Sequence, residues 1–416
     1  MNDLWYYAIG FVIVWILALL FRNKLKIDIE GPIIMRRTQR LKGFIEPVAN
    51  RSPRFWRWSM NLGLPVAVFF MGLMLILIIL SLETLIQAPS VAILLPGVDI
   101  PGSPIFVPLG YGLIALMTVI VVHEFGHGII SRVDGVRIKS IGVLLLAVLP
   151  GAFVEPDEED IEKSKRISKL RMYAAGSIFN LALAAVSLIL FLFITVMIIS
   201  SMSLGIPGIS VPGTSIKTES ITLLNNSGPI FPTFQTEGVA ITSVVPKSPA
   251  DGILQNGMVI QSINGISTSN LNNFSSLSNQ TKIGETLNFQ TNQGTFSVKA
   301  GVNPNNATRG YIGIRSEDHL VLNNNVAKTF GHQIPWFIYS LRDLFFWIFI
   351  INFAVGTFNL LPMKPLDGGL ILEELLGYKL SENRVQQIIT PLSYVLILII
   401  VVSIVYSLGR GISLLF

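Results

Sequence analysis

Val121-Val122-His123-Glu124-Phe125-Gly126-His127-Gly128 stands inside an apolar run over residues 111–130. On a helix, residues four apart share a face, so the imidazoles of His123 and His127 sit about 6 Å apart along the axis. Two neutral imidazoles at that spacing can bind one Zn²⁺, with the Glu124 carboxylate beside the water of the fourth coordination position. The run is also long and apolar enough to cross a bilayer. Two imidazoles and a carboxylate inside a membrane helix are costly, so by default they mark a functional site. Two of the chain's four histidines are here. The bland alternative is a pair of helix-packing histidines with a stray carboxylate.

The composition agrees with a membrane setting. At 51% hydrophobic and 13% charged over 416 residues, the chain is too apolar for a soluble globular protein. Cysteine is absent, so any metal must be held by histidine and carboxylate. The net charge of +5 is modest, and its placement says more than its size.

Outward from the motif, apolar runs at residues 5–21, 62–82, 172–199, 344–361 and 388–408 give about six transmembrane helices in all. The first lacks a basic n-region and a small-residue cleavage site, and reads as a retained anchor. Ten Lys and Arg fall between Arg22 and Arg57. They suit a nucleic-acid patch or, beside two spans, a cytoplasmic loop; the positive-inside rule favours the loop, and no nucleic-acid partner is expected. Residues 83–110 carry no Lys or Arg, whereas Arg132, Arg137 and Lys139 follow the motif directly. One orientation satisfies all three loops. It places the N-terminus outside and His123 and His127 in the cytoplasmic half of the bilayer, in a multi-pass protein of the cell membrane.

Residues 141–154 are apolar but too short to span, with Pro150-Gly151 as a turn signal. They read as a membrane-associated β-hairpin beside the motif helix, tolerated at that depth only where protein or water covers the backbone. The acidic cluster from Glu155 to Glu162 reads as a solvated face. Asn180, about two turns into the next span, is either a helix–helix hydrogen bond or a donor at the site. Residues 205–335 are polar and hold no span, and the topology places them outside. Asn225, Asn273, Asn279 and Asn306 head sequons there, permissive for glycosylation and no more. Strands are expected over residues 238–245, 257–264, 286–290 and 295–298, with an Asn264-Gly265 turn and a short helix over 270–280. This order resembles a PDZ domain of the type found in membrane and periplasmic proteases.

After the fifth span comes Asn359-Leu-Leu-Pro362-Met-Lys-Pro365-Leu-Asp367-Gly368-Gly369. The prolines break the helix, so Asp367 lies on irregular backbone near the leaflet that holds His127. It is either an Asp-Gly turn at a membrane surface or a third metal ligand. A zinc site of three protein ligands keeps its fourth position for water and is the catalytic type. With His123, His127 and Asp367 as ligands and Glu124 as proton acceptor, the chemistry suits peptide hydrolysis. A site buried in the bilayer is reached most simply by another protein's transmembrane segment. Asn180, Asn359 and Gly151 are candidate substrate-binding or oxyanion residues, and an unpaired edge of the hairpin is a candidate platform for an unwound substrate.

Four blocks resemble the site-2 protease family of intramembrane zinc metalloproteases. They are His123-Glu-Phe-Gly-His127, Leu149-Pro-Gly-Ala-Phe-Val154, Ala175-Gly-Ser-Ile-Phe-Asn180, and Asn359-Leu-Leu-Pro362 through Leu366-Asp367-Gly368. The resemblance implies a three-helix core around one Zn²⁺, with His123, His127, Glu124 and Asp367 in the catalytic roles. It also implies transmembrane substrates trimmed by an earlier protease, which the PDZ-like domain would filter. Two departures stand out: Ser177 where many members have Pro, and Lys364, for which the sequence offers no account. The expected organisation is an anchor and basic loop at 1–57, membrane core at 58–204 and 336–416, and an extracytoplasmic region at 205–335 with its PDZ-like part at about 236–302. Two rival classes fit less well: a non-catalytic PDZ membrane scaffold, and a zinc or ion transporter.

Overall fold

The structure, a computed structural model, describes residues 4–30, 33–38, 42–84, 96–97, 106–146, 149–199, 233–303 and 306–413. The chain divides into two compact units, one from residues up to Phe191 and from Asp343 onward, the other over Leu192–Arg342.

The first unit begins with α1 (Leu4–Leu25), β1 (Asp28–Glu30), β2 (Ile33–Thr38), α2 (Lys42–Arg51), α3 (Pro53–Thr84) and α4 (Leu109–Val133). It continues with β3 (Ile138–Leu146), β4 (Leu149–Pro156), α5 (Glu158–Lys163) and α6 (Arg166–Ile199), whose last turns belong to the second unit. Among the described residues five helices are long and apolar enough to cross a membrane: α3, α4, α6, α9 (Gln333–Phe358) and α11 (Glu382–Ser413). In a bilayer only a helix or a closed barrel satisfies every backbone group, which is why these Leu-, Ile- and Val-rich runs are helical. Large apolar side chains on them face outward, Phe69 at 63% and Leu398 at 62% exposure, as a lipid-facing surface requires. The chain is a multi-pass membrane protein. α1, 22 residues long and apolar, is helical where the first of six spans is expected. α3 starts nine residues before the expected span, because Arg54, Trp56, Arg57 and Trp58 continue the helix into the interface.

The expected hairpin is present as β3 and β4, antiparallel with Leu146 opposite Leu149. Two features differ from the sequence reading. Pro150 and Gly151 are not a turn but lie in β4 opposite Leu145 and Leu144, and residues 147–148 between the two strands lie outside the described residues. β4 is an edge strand, where a proline is tolerated because its missing N–H faces away from the ladder. The hairpin is also not alone: β2 pairs along β3 from Ile33–Leu146 to Thr38–Ile141, giving a sheet in the order β1-β2-β3-β4. The apolar strand signal of Ile33, Ile34 and Met35 is short and interrupted by Arg36 and Arg37, so it reads as part of a basic loop.

The buried core of this unit gathers where the motif-bearing end of α4 meets its neighbours. Ile45 and Ala49 of α2, Met60 and Ala67 of α3, Ile129 and Ile130 of α4, Ile138 and Ile141 of β3, and Leu170, Met172 and Ala175 of α6 pack there. Leu360, just past α9, and Ile371 of α10 (Asp367–Leu376) complete it. Just past α4, Asp134 is 2% exposed and takes Arg171 Nε and Nη2 at 2.9 and 3.0 Å, and Arg57 Nε at 3.1 Å. This bidentate pair ties α3, α4 and α6 at one level. Asp134→Ala leaves Arg171 buried without its anion, so the thermal midpoint in detergent should fall by the equivalent of about 3–5 kcal/mol. An unchanged midpoint would show the network to be idle. The acidic cluster is partly spent locally: Asp157 caps α5, and Asp160 pairs bidentately with Arg137.

The second unit carries an antiparallel sheet in the order β12-β5-β6-β8-β9, with β7 added to β6. Its elements are β5 (Phe234–Val244), β6 (Val259–Ile263), β7 (Ile266–Ser267), α7 (Leu271–Gln280), β8 (Thr286–Thr291), β9 (Gly294–Lys299), the β10–β11 hairpin (Gly301–Asn303, Asn306–Tyr311), β12 (Ile314–Leu322) and α8 (Asn324–Phe330). Asn264 and Gly265 both adopt positive φ, the geometry of a tight two-residue hairpin turn. Val239, Ile241, Ile260, Phe289 and Val298 form the core with Phe274 of α7. The edge strand β12 comes from beyond residue 302, because it pairs with β5 across a long connection that local pattern does not reveal. Of the sequons, Asn225 lies outside the described residues.

Candidate metal centre

α4 is helical through the motif, so His123 and His127 project from one face with ring centroids 4.8 Å apart. Their Nε2 atoms lie 3.2 Å from each other. Asp367 arrives from far along the chain. After α9 the backbone turns through Leu360-Leu361-Pro362, and the Gly368 N–H donates to the Asn359 carbonyl at 2.8 Å. A Cβ on Gly368 would collide with the Leu360 carbonyl, so only glycine lets the first turn of α10 fold against this loop. That closure brings Asp367 Oδ2 to 3.5 Å from His123 Nε2 and Oδ1 to 3.5 Å from His127 Nε2.

These spacings test what the group could hold. Four ligands tetrahedrally placed at about 2.0–2.1 Å from Zn²⁺ lie roughly 3.3–3.4 Å from one another. The Nε2–Nε2 spacing of 3.2 Å fits that frame, and the carboxylate brings Oδ2 to 3.5 Å from one ring and Oδ1 to 3.5 Å from the other, with one ligand atom from each residue within 4.8 Å of the rest. His123, His127 and Asp367 are one candidate metal-holding group. Burial pushes the Asp367 carboxyl above its ordinary range, against the opposing pull of His127 and the Ser177 hydrogen bond. A desolvated carboxylate facing two lone-pair nitrogens is an arrangement that a divalent cation stabilises.

The surroundings orient the group. His127 Nδ1 lies 2.7 Å from the Met172 carbonyl and donates to it, which leaves the Nε2 lone pair for a metal. Ser177 Oγ donates to Asp367 Oδ2 at 2.9 Å. Gly176 is the point of closest approach: a Cβ there would stand 2.5 Å from His123 Cε1 and from His127 Nε2. Glu124, one residue past His123, accepts the Val154 N–H on Oε2 at 2.9 Å. The amide holds one oxygen and leaves the other free to take a proton.

The remaining site expectations fall in three different places. Asn180 is fully buried behind His123, with Nδ2 3.3 Å from His123 Nδ1. Asn359 stands just past α9, where its backbone carbonyl, not its side chain, is tied to the Asp367 segment. Gly151 lies in β4 opposite Leu144. Because Val154 turns its N–H away from β3, alternation along an antiparallel pair turns Ala152 outward as well and Gly151 toward β3. The next outward peptide group along β4 from the one that holds Glu124 is therefore that of Ala152. Lys364 gains an account: its Nζ lies 2.6 Å from Glu373 Oε2, and its N–H donates to Ser393 Oγ at 3.0 Å, pinning the loop before Asp367 to α10 and α11. Ser177 and Gly176 escaped the sequence reading as functional positions, because a small residue in an apolar helix carries no mark of what approaches it.

Comparison with known proteins agrees with this geometry. The family model described as Peptidase family M50 matches residues 111–400, from the start of α4 into α11. An uncharacterized protein of Methanocaldococcus jannaschii is 27% identical over 366 residues, 86% of this chain and 81% of its own length. A membrane-bound transcription factor site-2 protease homolog of Arabidopsis thaliana is 27% identical over 90 residues, 22% of this chain and 18% of its own length. The chain belongs to peptidase family M50, the site-2 protease family, and is a metallopeptidase of that family.

Proposed function

We propose that the protein is a zinc-dependent intramembrane endopeptidase that hydrolyses peptide bonds in or near transmembrane segments of other proteins. The observation that carries this reading is the convergence, at 3.2–3.5 Å, of two imidazole nitrogens on a helix long and apolar enough to span a bilayer with a carboxylate from the short helix between two further such spans. His123, His127 and Asp367 would hold the ion, which when bound supplies a Lewis acid and a nucleophile at neutral pH. Glu124, held by the Val154 amide, takes the proton from the attacking water and returns it to the leaving amine. The loop charges support a site facing the cytoplasm and a second unit outside, and the strand and helix order of that unit supports a PDZ-like domain that filters or docks substrates already trimmed by another protease.

A helical substrate hides its peptide bonds in its own hydrogen bonds and must be unwound before attack. β4 is the free edge of the sheet, and Ala152 offers an outward N–H and C=O two residues from the amide that holds Glu124. An unwound substrate would pair there as an added strand. Ala152→Pro removes that donor without removing a bond to β3, and should lower kcat/KM by about tenfold, the worth of about one hydrogen bond. Cleavage unaffected by the substitution would remove the edge from the account.

The reading is tested by reconstituting the protein with a single-span protein in vesicles and identifying products by mass spectrometry. Cleavage inside or beside the span, stopped by a chelator and restored by Zn²⁺, is the expected result. Zinc flux without cleavage would make it a transporter, and binding of the span without either would make it a scaffold.

A further inference from the structure

α6 contributes no ligand to the candidate metal group, yet each of the three ligands meets it. Met172, Gly176, Ser177 and Asn180 follow one another on the face of α6 turned to α4 and Asp367. The Met172 carbonyl takes the His127 Nδ1 proton at 2.7 Å. Ser177 Oγ donates to Asp367 Oδ2 at 2.9 Å, and Asn180 lies 3.3 Å from His123 Nδ1. Gly176 leaves room for both rings. We propose that Ser177 and Asn180 are positioning residues, each holding one metal ligand from behind: Ser177 the carboxylate of Asp367 and Asn180 the imidazole of His123.

For Asn180 the argument runs through the proton on the ring. His123 turns Nε2 toward His127 and Asp367, so that lone pair would hold a metal and the proton would sit on Nδ1. An amide NH₂ facing an N–H is two donors with no acceptor. Among the described residues Asn180 Oδ1, fully buried, has no partner at all. Turning the amide over about its last bond exchanges its O and N, places Oδ1 against the Nδ1 side of the ring, and gives the orphaned amide oxygen a donor. The ring also lies against the Gly176 carbonyl, on the same helix. Nδ1 is the far side of the ring from the ligand atoms, so Asn180 acts through His123 and not on a substrate in front of it.

Ser177 works on the third ligand. Its hydroxyl occupies Oδ2 of Asp367 and leaves Oδ1, 3.5 Å from His127 Nε2, as the oxygen free to bind an ion. The serine stands where the resemblance to a Gly-Pro-x-x-Asn block breaks down. A proline could not make this bond, so this chain has a tether to Asp367 that the common pattern lacks. Losing one such outer contact typically costs about 10–100-fold in metal affinity.

This inference rests on the zinc reading and is tested apart from catalysis. The full-length protein in detergent is titrated with Zn²⁺ against a chromophoric chelator, and the absorption bands of the Co²⁺-substituted protein report ligand geometry. Asn180→Leu and Ser177→Ala should each weaken Zn²⁺ by about 10–100-fold and alter the Co²⁺ bands. Asn180→Asp, which keeps an acceptor, and Ser177→Thr, which keeps the hydroxyl, should bind within a few-fold of wild type with its spectrum. The proposal is overturned if the first pair binds as wild type does, or if the second pair is as weak as the first. Wild-type protein that takes up no Zn²⁺ would overturn the zinc reading as well, whereas normal uptake in wild type and all four variants would overturn this inference alone.

Discussion

Glu124→Gln is expected to leave zinc binding intact and to cut peptide hydrolysis by about 10²–10⁴-fold, the usual range for removing a general base. The amide keeps the shape of the side chain and can still accept the Val154 N–H on its oxygen, so β4 stays seated against α4. What it cannot do is take a proton. Retained zinc with lost turnover is the signature of a carboxylate that works on the water and not on the ion. Rates measured on one single-span substrate, with zinc content determined in the same preparations, check it. A variant that cleaves at the wild-type rate would take the proton-transfer role away from Glu124.

Gly176→Ala should be as damaging although it changes no functional group. The added methyl carbon would stand 2.5 Å from His123 Cε1 and His127 Nε2, far inside the roughly 3.4 Å of ordinary contact. The neighbours are the two candidate ligand rings, so relief can come only by moving them or by shifting α6 away from α4. Either displaces nitrogens that must stay within a few tenths of an ångström to share one ion. Zinc affinity is expected to fall by about 100-fold or more, with proteolysis following it. Gly72→Ala in α3 is the control, because nothing lies within 4 Å of a Cβ at that position. Equal zinc binding by both variants would show that the helices do not approach as closely as described.

How much of this was legible in the sequence follows from the range of each signal. The spans and the His-Glu-x-x-His face are local: apolar runs of spanning length, and two imidazoles four residues apart. Asp367 was legible as a candidate because its approach is broken by Pro362 and Pro365, but its partner is set by a chain closure that only Gly368 permits. The strand β2 was hidden because Arg36 and Arg37 interrupt its short apolar run. Pro150-Gly151 misled for the opposite reason. It is a strong turn signal that an edge strand can accommodate, and both residues lie in β4. Ser177 and Lys364 looked like departures from a pattern, and each has its partner across the fold, Asp367 in one case and Glu373 in the other.

The central claim is that three side chains distant in the chain share one ion, and metal content tests it most directly. Purified full-length protein should carry one zinc per chain in an environment of nitrogen and oxygen only, as the absence of cysteine requires. X-ray absorption at the zinc edge, recorded for wild type, His127→Ala and Asp367→Ala, should show that environment in wild type and little or no bound zinc in the two variants. Zinc bound equally by all three, or by none of them, would contradict the account.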